Sequence, residues 1–148
     1  MRTILLLLIL AVPIAAQQVD AVLVDQFESV PCEDAVGRLD SFLVDLQNSS
    51  GWKGVVIGYE GRYLDYRMDK YVLPVLGQIN SRVELIRNHI EFRRFDPSRI
   101  VFISGGFREN HQFELYKVPP GGKFPVAKPT LDSMKYRRGK PTPIPECP

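Results

Sequence analysis

Two stretches with apolar residues at three-to-four spacing alternate with short uninterrupted apolar runs, and this alternation commits the chain to an α/β architecture. Val19 to Val24 (VDAVLV) has the β-branched character of a first strand, ended by turn residues between Ser29 and Asp34. Ala35, Leu39, Phe42, Leu43 and Leu46 then share one face of a predicted helix, with Glu33 and Asp34 suited to the positive end of its dipole. Asn48 to Gly51 stops that helix, and Gly54 to Tyr59 (GVVIGY) reads as a buried strand. Beyond a charged, tyrosine-bearing loop at 60–70, Val75, Leu76, Ile79, Val83, Ile86 and Ile90 form a second helical stripe. Pro74 is tolerated only in a first turn, so this helix is predicted to begin near Leu73. Asp96-Pro97-Ser98 breaks the chain before a strand at Ile100 to Ser104; Gly105-Gly106 is predicted to turn it, and Gln112 to Val118 alternates as a last strand. The order βαβαββ, with the helical crossovers that parallel strands need, predicts a two-layer sandwich: a mixed sheet with two helices on one face.

The two ends of the chain differ from its middle. Arg2, the apolar run Ile4 to Val12 and the small residues Ile14-Ala15-Ala16 read as a signal peptide over 1–16, so a secreted or periplasmic location is expected. The run is too short to span a membrane as a helix, and no transmembrane segment is expected after cleavage. The α/β domain is placed at 17–118. The tail, 119–148, holds eight of the twelve prolines and six basic residues against two acidic ones, which suits an extended, partly polyproline-like segment with 135–138 as a short edge strand. In an oxidising compartment the only two cysteines, Cys32 and Cys147, are expected to pair. Closing so long a loop would stabilise the fold by roughly 4 to 5 kcal/mol on the chain-entropy model.

Net charge is only +2, which gives no global field for nucleic acid. Two histidines and two distant cysteines do not make a metal site, no cofactor is implied, and no strand-turn-helix nucleophile elbow is present, so the chain carries no catalytic signature. Gly105-Gly106 lacks the spacing of a phosphate cradle. His89 and His111 read as helix-flank and strand-end residues. Asn48-Ser49-Ser50 satisfies a glycosylation sequon and doubles as a helix end. Tyr59, Tyr63 and Tyr66 with Arg62 and Arg67 have the composition of a contact loop, or of tyrosines packed over a sheet edge.

The stretch SRVELIRNHIEFRRFDPSRIVFISGGFRENHQFEL, from Ser81 to Leu115, resembles the OmpA-like peptidoglycan-binding domain. Arg82 falls on that family's helix arginine, Ile86 on its valine and His89-Ile90 on its Tyr-Leu pair. Asp96 to Ile100 falls on its x-x-x-R-I step, Gly105, Gly106 and Glu109 near its G-x-G-E turn, and Asn110 to Leu115 on its last strand. Upstream, the helix Ala35 to Leu46 and the strand Gly54 to Gly58 stand where the family has its first helix and second strand. The family's G-H-T-D turn, whose aspartate works with the helix arginine on the diaminopimelate of the cell-wall peptide, reads Gly58-Tyr59-Glu60-Gly61 here, with Gly61 in the aspartate's place.

The resemblance implies an exported, non-enzymatic envelope domain, with peptidoglycan or another envelope component as partner and Arg82 as its main ligand-binding residue. Glu60, Asp65 or Asp69 would then supply the missing carboxylate, with Tyr63 beside them. The other reading of Arg82 is a structural ion pair with Glu33, Asp34 or a loop carboxylate. Two rival functions remain at this level: a small hydrolase using His89 or His111 as general base, and a protein-binding module acting through the basic tail.

Overall fold

The computed structural model describes residues 19–141. The expected signal segment, Cys147 and the end of the tail lie outside the described residues. The elements run β1 (Val22–Phe27), α1 (Cys32–Gln47), β2 (Lys53–Asp65), β3 (Lys70–Val72), α2 (Gln78–Phe92), a 3-10 turn (Pro97–Arg99), β4 (Ile100–Asn110) and β5 (Gln112–Val118). They build a five-stranded mixed sheet with two helices. β2 is the axis of the sheet: β5 pairs with it antiparallel on one edge and β4 parallel on the other. β1 extends the sheet antiparallel to β5, and β3 folds back on the far end of β2.

Both helices cover one face. Leu39, Phe42, Leu43 and Leu46 of α1 and Ile86 and Ile90 of α2 pack with Phe27, Val56, Phe113 and Leu115 from the strands. Each such side chain contributes about 1.5 to 3 kcal/mol of burial free energy. Asp40 ties the helices together, accepting from His89 Nε2 at 2.7 Å and from the Arg93 guanidinium. The opposite face carries Val55, Ile57, Tyr59 and Val118, and the tail crosses it, with Ala127 packed against this cluster. The amide of Lys128 donates to the Tyr59 hydroxyl at 3.0 Å, and those of Thr130 and Leu131 donate to the Phe107 carbonyl. The tail is therefore extended as expected but laid along the sheet. At Arg137 it contributes an isolated parallel bridge to Val75 rather than a strand.

Four elements differ from the sequence expectation. β1 starts and ends three residues later, because its register is set by β5, where Phe27 faces Phe113 with ring centroids 5.7 Å apart. The loop at 60–70 is instead the end of β2, a turn and β3, forming a hairpin. α2 starts at Gln78 rather than near Leu73: Gly77, at φ 84°, is in the left-handed region, and the preceding residues are drawn into β3 and the bridge to the tail. Gly105-Gly106 does not turn the chain; β4 runs through it to Asn110, with its register to β2 shifting there.

The true turn is His111. A single residue joins β4 to β5, although the two strands lie on opposite edges of β2, so the chain must cross β2. It does so at Gly61, where His111 N donates to the Arg62 carbonyl at 2.8 Å. A Cβ on Gly61 would lie 2.3 Å from the Asn110 carbonyl carbon and 2.4 Å from His111 N. Only glycine lets the two backbones approach this closely.

Candidate functional site

The crossing and the hairpin leave a cleft of about 440 Å³ between the starts of both helices and the far end of β2. Its floor is the edge of the core, with Phe27, Leu39, Ile86 and Phe113, and its polar wall includes Tyr63, Tyr66, Arg82 and Arg137. Above that floor the half-buried side chains of Val30, Ala35, Leu64 and Leu85 complete the apolar lining.

Arg82 projects from the second turn of α2 and is half-buried. Burial pulls its pKa down, and the charge interaction with the Tyr63 and Tyr66 phenol groups acts in the opposite sense. Among the described residues no carboxylate forms an ion pair with it, and its Nε is buried without a hydrogen-bond partner. The expected pairing with Glu33, Asp34 or a loop acid is not formed: Asp34 is held by Arg38 at 3.2 Å. A guanidinium this far out of water normally has a compensating anion, since leaving a buried donor unpaired costs about 1 to 3 kcal/mol. Its nearest aromatic neighbour is Tyr63, whose ring centroid lies 5.6 Å from the Arg82 guanidinium carbon. On the same ring, at 5.8 Å, sits Arg137 from the tail, which also donates to the Tyr63 hydroxyl and, at 3.1 Å, to the Leu73 carbonyl.

His111 lies beside them, 4% exposed and set edge-on to Phe113 at 5.0 Å. Desolvation, reinforced by the charge on Arg82, drives its pKa down to about 3 against an opposing hydrogen bond with the Tyr59 backbone. The imidazole is thus neutral, and the positive charge in this part of the cleft is carried by arginine.

The acids expected near Arg82 divide three ways. Asp65 lines the cleft, but its Oδ1 accepts from the amides of Arg67 and Met68 at 3.0 and 3.3 Å and so holds the hairpin turn. Glu60 shares a small adjoining void with Arg82; one oxygen accepts from the Tyr136 hydroxyl at 2.7 Å and the other is buried without a partner. Asp69 sits at φ 47° in the turn between β2 and β3 and is not among the residues lining the cleft. Tyr63 lines the cleft. Glu28 and Arg137 also line the cleft without any signal in the sequence, because each arrives from an element whose position only the packing determines. Tyr59, read with the contact loop, is instead buried on the tail side, donating to Glu114 at 3.0 Å.

The other chemical candidates do not converge. His89 is held by Asp40 on the helix pair and does not line the cleft. Among the described residues no group of three His, Cys, Asp or Glu side chains could hold a metal, and no helix is long and apolar enough to cross a membrane. Cys32, at the start of α1, lines the cleft and is not free. Its expected partner, Cys147, is outside the described residues. Comparison with family models, with curated proteins and with solved structures gives no match.

Proposed function

We propose that the chain is an exported, non-catalytic binding domain of the cell envelope, built on an OmpA-like plan, that holds a carboxylate-bearing component such as peptidoglycan in the cleft around Arg82. The observation that carries this reading is the half-buried guanidinium of Arg82, without a carboxylate partner among the described residues, in the wall of a cleft large enough for a ligand. Arginine offers a planar donor fork to a carboxylate, and such charge-assisted bonds gain strength where water is excluded. Asp65 is the expected acid that lines the same cleft, with one oxygen committed to its turn, while Glu60 faces only the small adjoining void. Export through the 1–16 segment and a Cys32–Cys147 bridge complete the proposal.

Co-sedimentation of the mature, oxidised protein with purified peptidoglycan sacculi tests it. Arg82→Ala is expected to lower the bound fraction at least tenfold, a loss on the scale of a charge-assisted contact. Equal binding by wild type and Arg82→Ala would reject the cleft as the site. Absence of binding by the wild type would reject peptidoglycan.

A further inference from the structure

From the two arginines on Tyr63 and the apolar floor beneath them, we infer that the cleft takes an amphipathic carboxylate, a single carboxylate carried directly on an apolar chain. The inference rests on reading the Arg82 cleft as the binding site, and not on peptidoglycan as its occupant. Three observations fix the chemistry. Arg82 and Arg137 come from different elements, yet their guanidinium carbons stand 5.6 and 5.8 Å from the same Tyr63 ring, so a cationic wall is assembled by α2 and the tail together. The Arg82 Nε is buried with no acceptor, which a carboxylate oxygen would supply. The cleft is also lined by the half-buried apolar side chains Val30, Ala35, Leu64 and Leu85, which satisfy no polar group.

These features select against the neighbouring chemistries. A small hydrophilic acid would leave the apolar floor facing water, and a neutral apolar ligand would leave the guanidinium uncompensated in a cavity it further dries. A dianion has no second buried cation to meet, since Arg137 is exposed. The ligand that satisfies both parts of the lining places its carboxylate between Arg82 and Arg137 and lays its apolar part across Val30, Leu64 and Leu85. Two sources share this chemistry: a medium-chain fatty acid, and the C-terminal residue of a peptide that ends in an apolar side chain.

Isothermal titration of the full mature chain distinguishes them. The probes are octanoate, octanamide and acetate, and a short acetylated peptide ending in leucine, as free acid and as amide. The expected result is binding of octanoate or of the peptide acid, with the matching amide and acetate each at least tenfold weaker. A preference for octanoate assigns the lipid source, and one for the peptide acid assigns the peptide source. Arg137→Gln, at an exposed position, is expected to weaken the acid about threefold to tenfold and leave the amide unchanged; Arg82→Gln is expected to abolish the difference between acid and amide. Equal affinity for acid and amide overturns the carboxylate, equal affinity for acetate and octanoate overturns the apolar chain, and no binding by any probe overturns the inference. Sacculus binding that depends on Arg82 with no probe bound would reject the inference and keep the proposed function. Probe binding without sacculus binding would do the opposite.

Discussion

Gly61 stands where the chain crosses β2 on its way from β4 into β5, and the crossing explains why this position is glycine. With Asn110 and His111 backbone atoms within 2.3 to 2.4 Å of where a Cβ would be, no side chain fits there. Gly61→Ala should therefore destabilise the fold by about 3 kcal/mol, the upper end of overpacking costs, which a shift of the urea midpoint measures. His111, next to the crossing, gives the residue-scale prediction for pH. Its folded-state pKa of about 3 lies below the ordinary value of 6.5, so the folded protein binds this proton less readily than the unfolded chain. The stabilisation is complete above pH 6.5 and is lost as pH falls toward 3, by as much as about 5 kcal/mol. Urea unfolding between pH 7 and 4 should show this slope, and His111→Gln should flatten it. Arg82 is singled out as a binding candidate by the resemblance of 81–115 to a known family pattern and not by the helix stripe, to which it does not belong; its lack of a carboxylate was not legible, because that depends on where every acid in the hairpin ends up.

At the scale of elements, the helices follow from local information and the strand ends do not. α1 spans Cys32–Gln47 and buries four of the five residues that its periodicity singles out, Leu39, Phe42, Leu43 and Leu46, with Ala35 half-buried. α2 keeps its stripe at Ile86 and Ile90 but loses the expected first turn, because Gly77 and the pairing of 70–72 with β2 compete for those residues. The link between the helices is electrostatic as well as apolar. Burial alone would raise the Asp40 pKa, but hydrogen bonds from Arg93 and His89 outweigh it and hold the carboxyl below its ordinary value. The sign follows: the pair's stabilisation is present above the carboxylate's unfolded value of 3.8 and is lost as pH falls below it. Because the group is partly exposed, Asp40→Asn should cost only about 1 kcal/mol, and a double-mutant cycle with Arg93→Ala should recover most of it as coupling.

Across the whole molecule, the tail is what makes the second face of the sheet a protein interior. Tyr59 donates to Glu114, accepts from the Lys128 amide and lies under the Arg108 guanidinium, whose carbon is 3.5 Å from the ring centroid. Arg108 also meets Glu114 at 2.9 Å, so one buried acid joins β2, β4 and β5, and the Tyr59 hydroxyl carries the network to the tail. Tyr59→Phe should release the tail locally, seen as faster hydrogen exchange at Lys128, with a loss of about 1 to 2 kcal/mol for the unpaired groups. The same tail carries Arg137 to the cleft, so its composition, which reads as a detached basic appendage, understates its part in the fold. Local pattern alone determined the α/β class, the two helices, the approximate positions of β2, β4 and β5, and the extended character of the tail, because periodicity and proline act over a few residues. Tertiary structure decided the register of β1, the hairpin at 60–72, the crossing at Gly61 and the cleft, because each depends on backbone or side chains meeting across dozens of residues, and no local period records where such partners arrive.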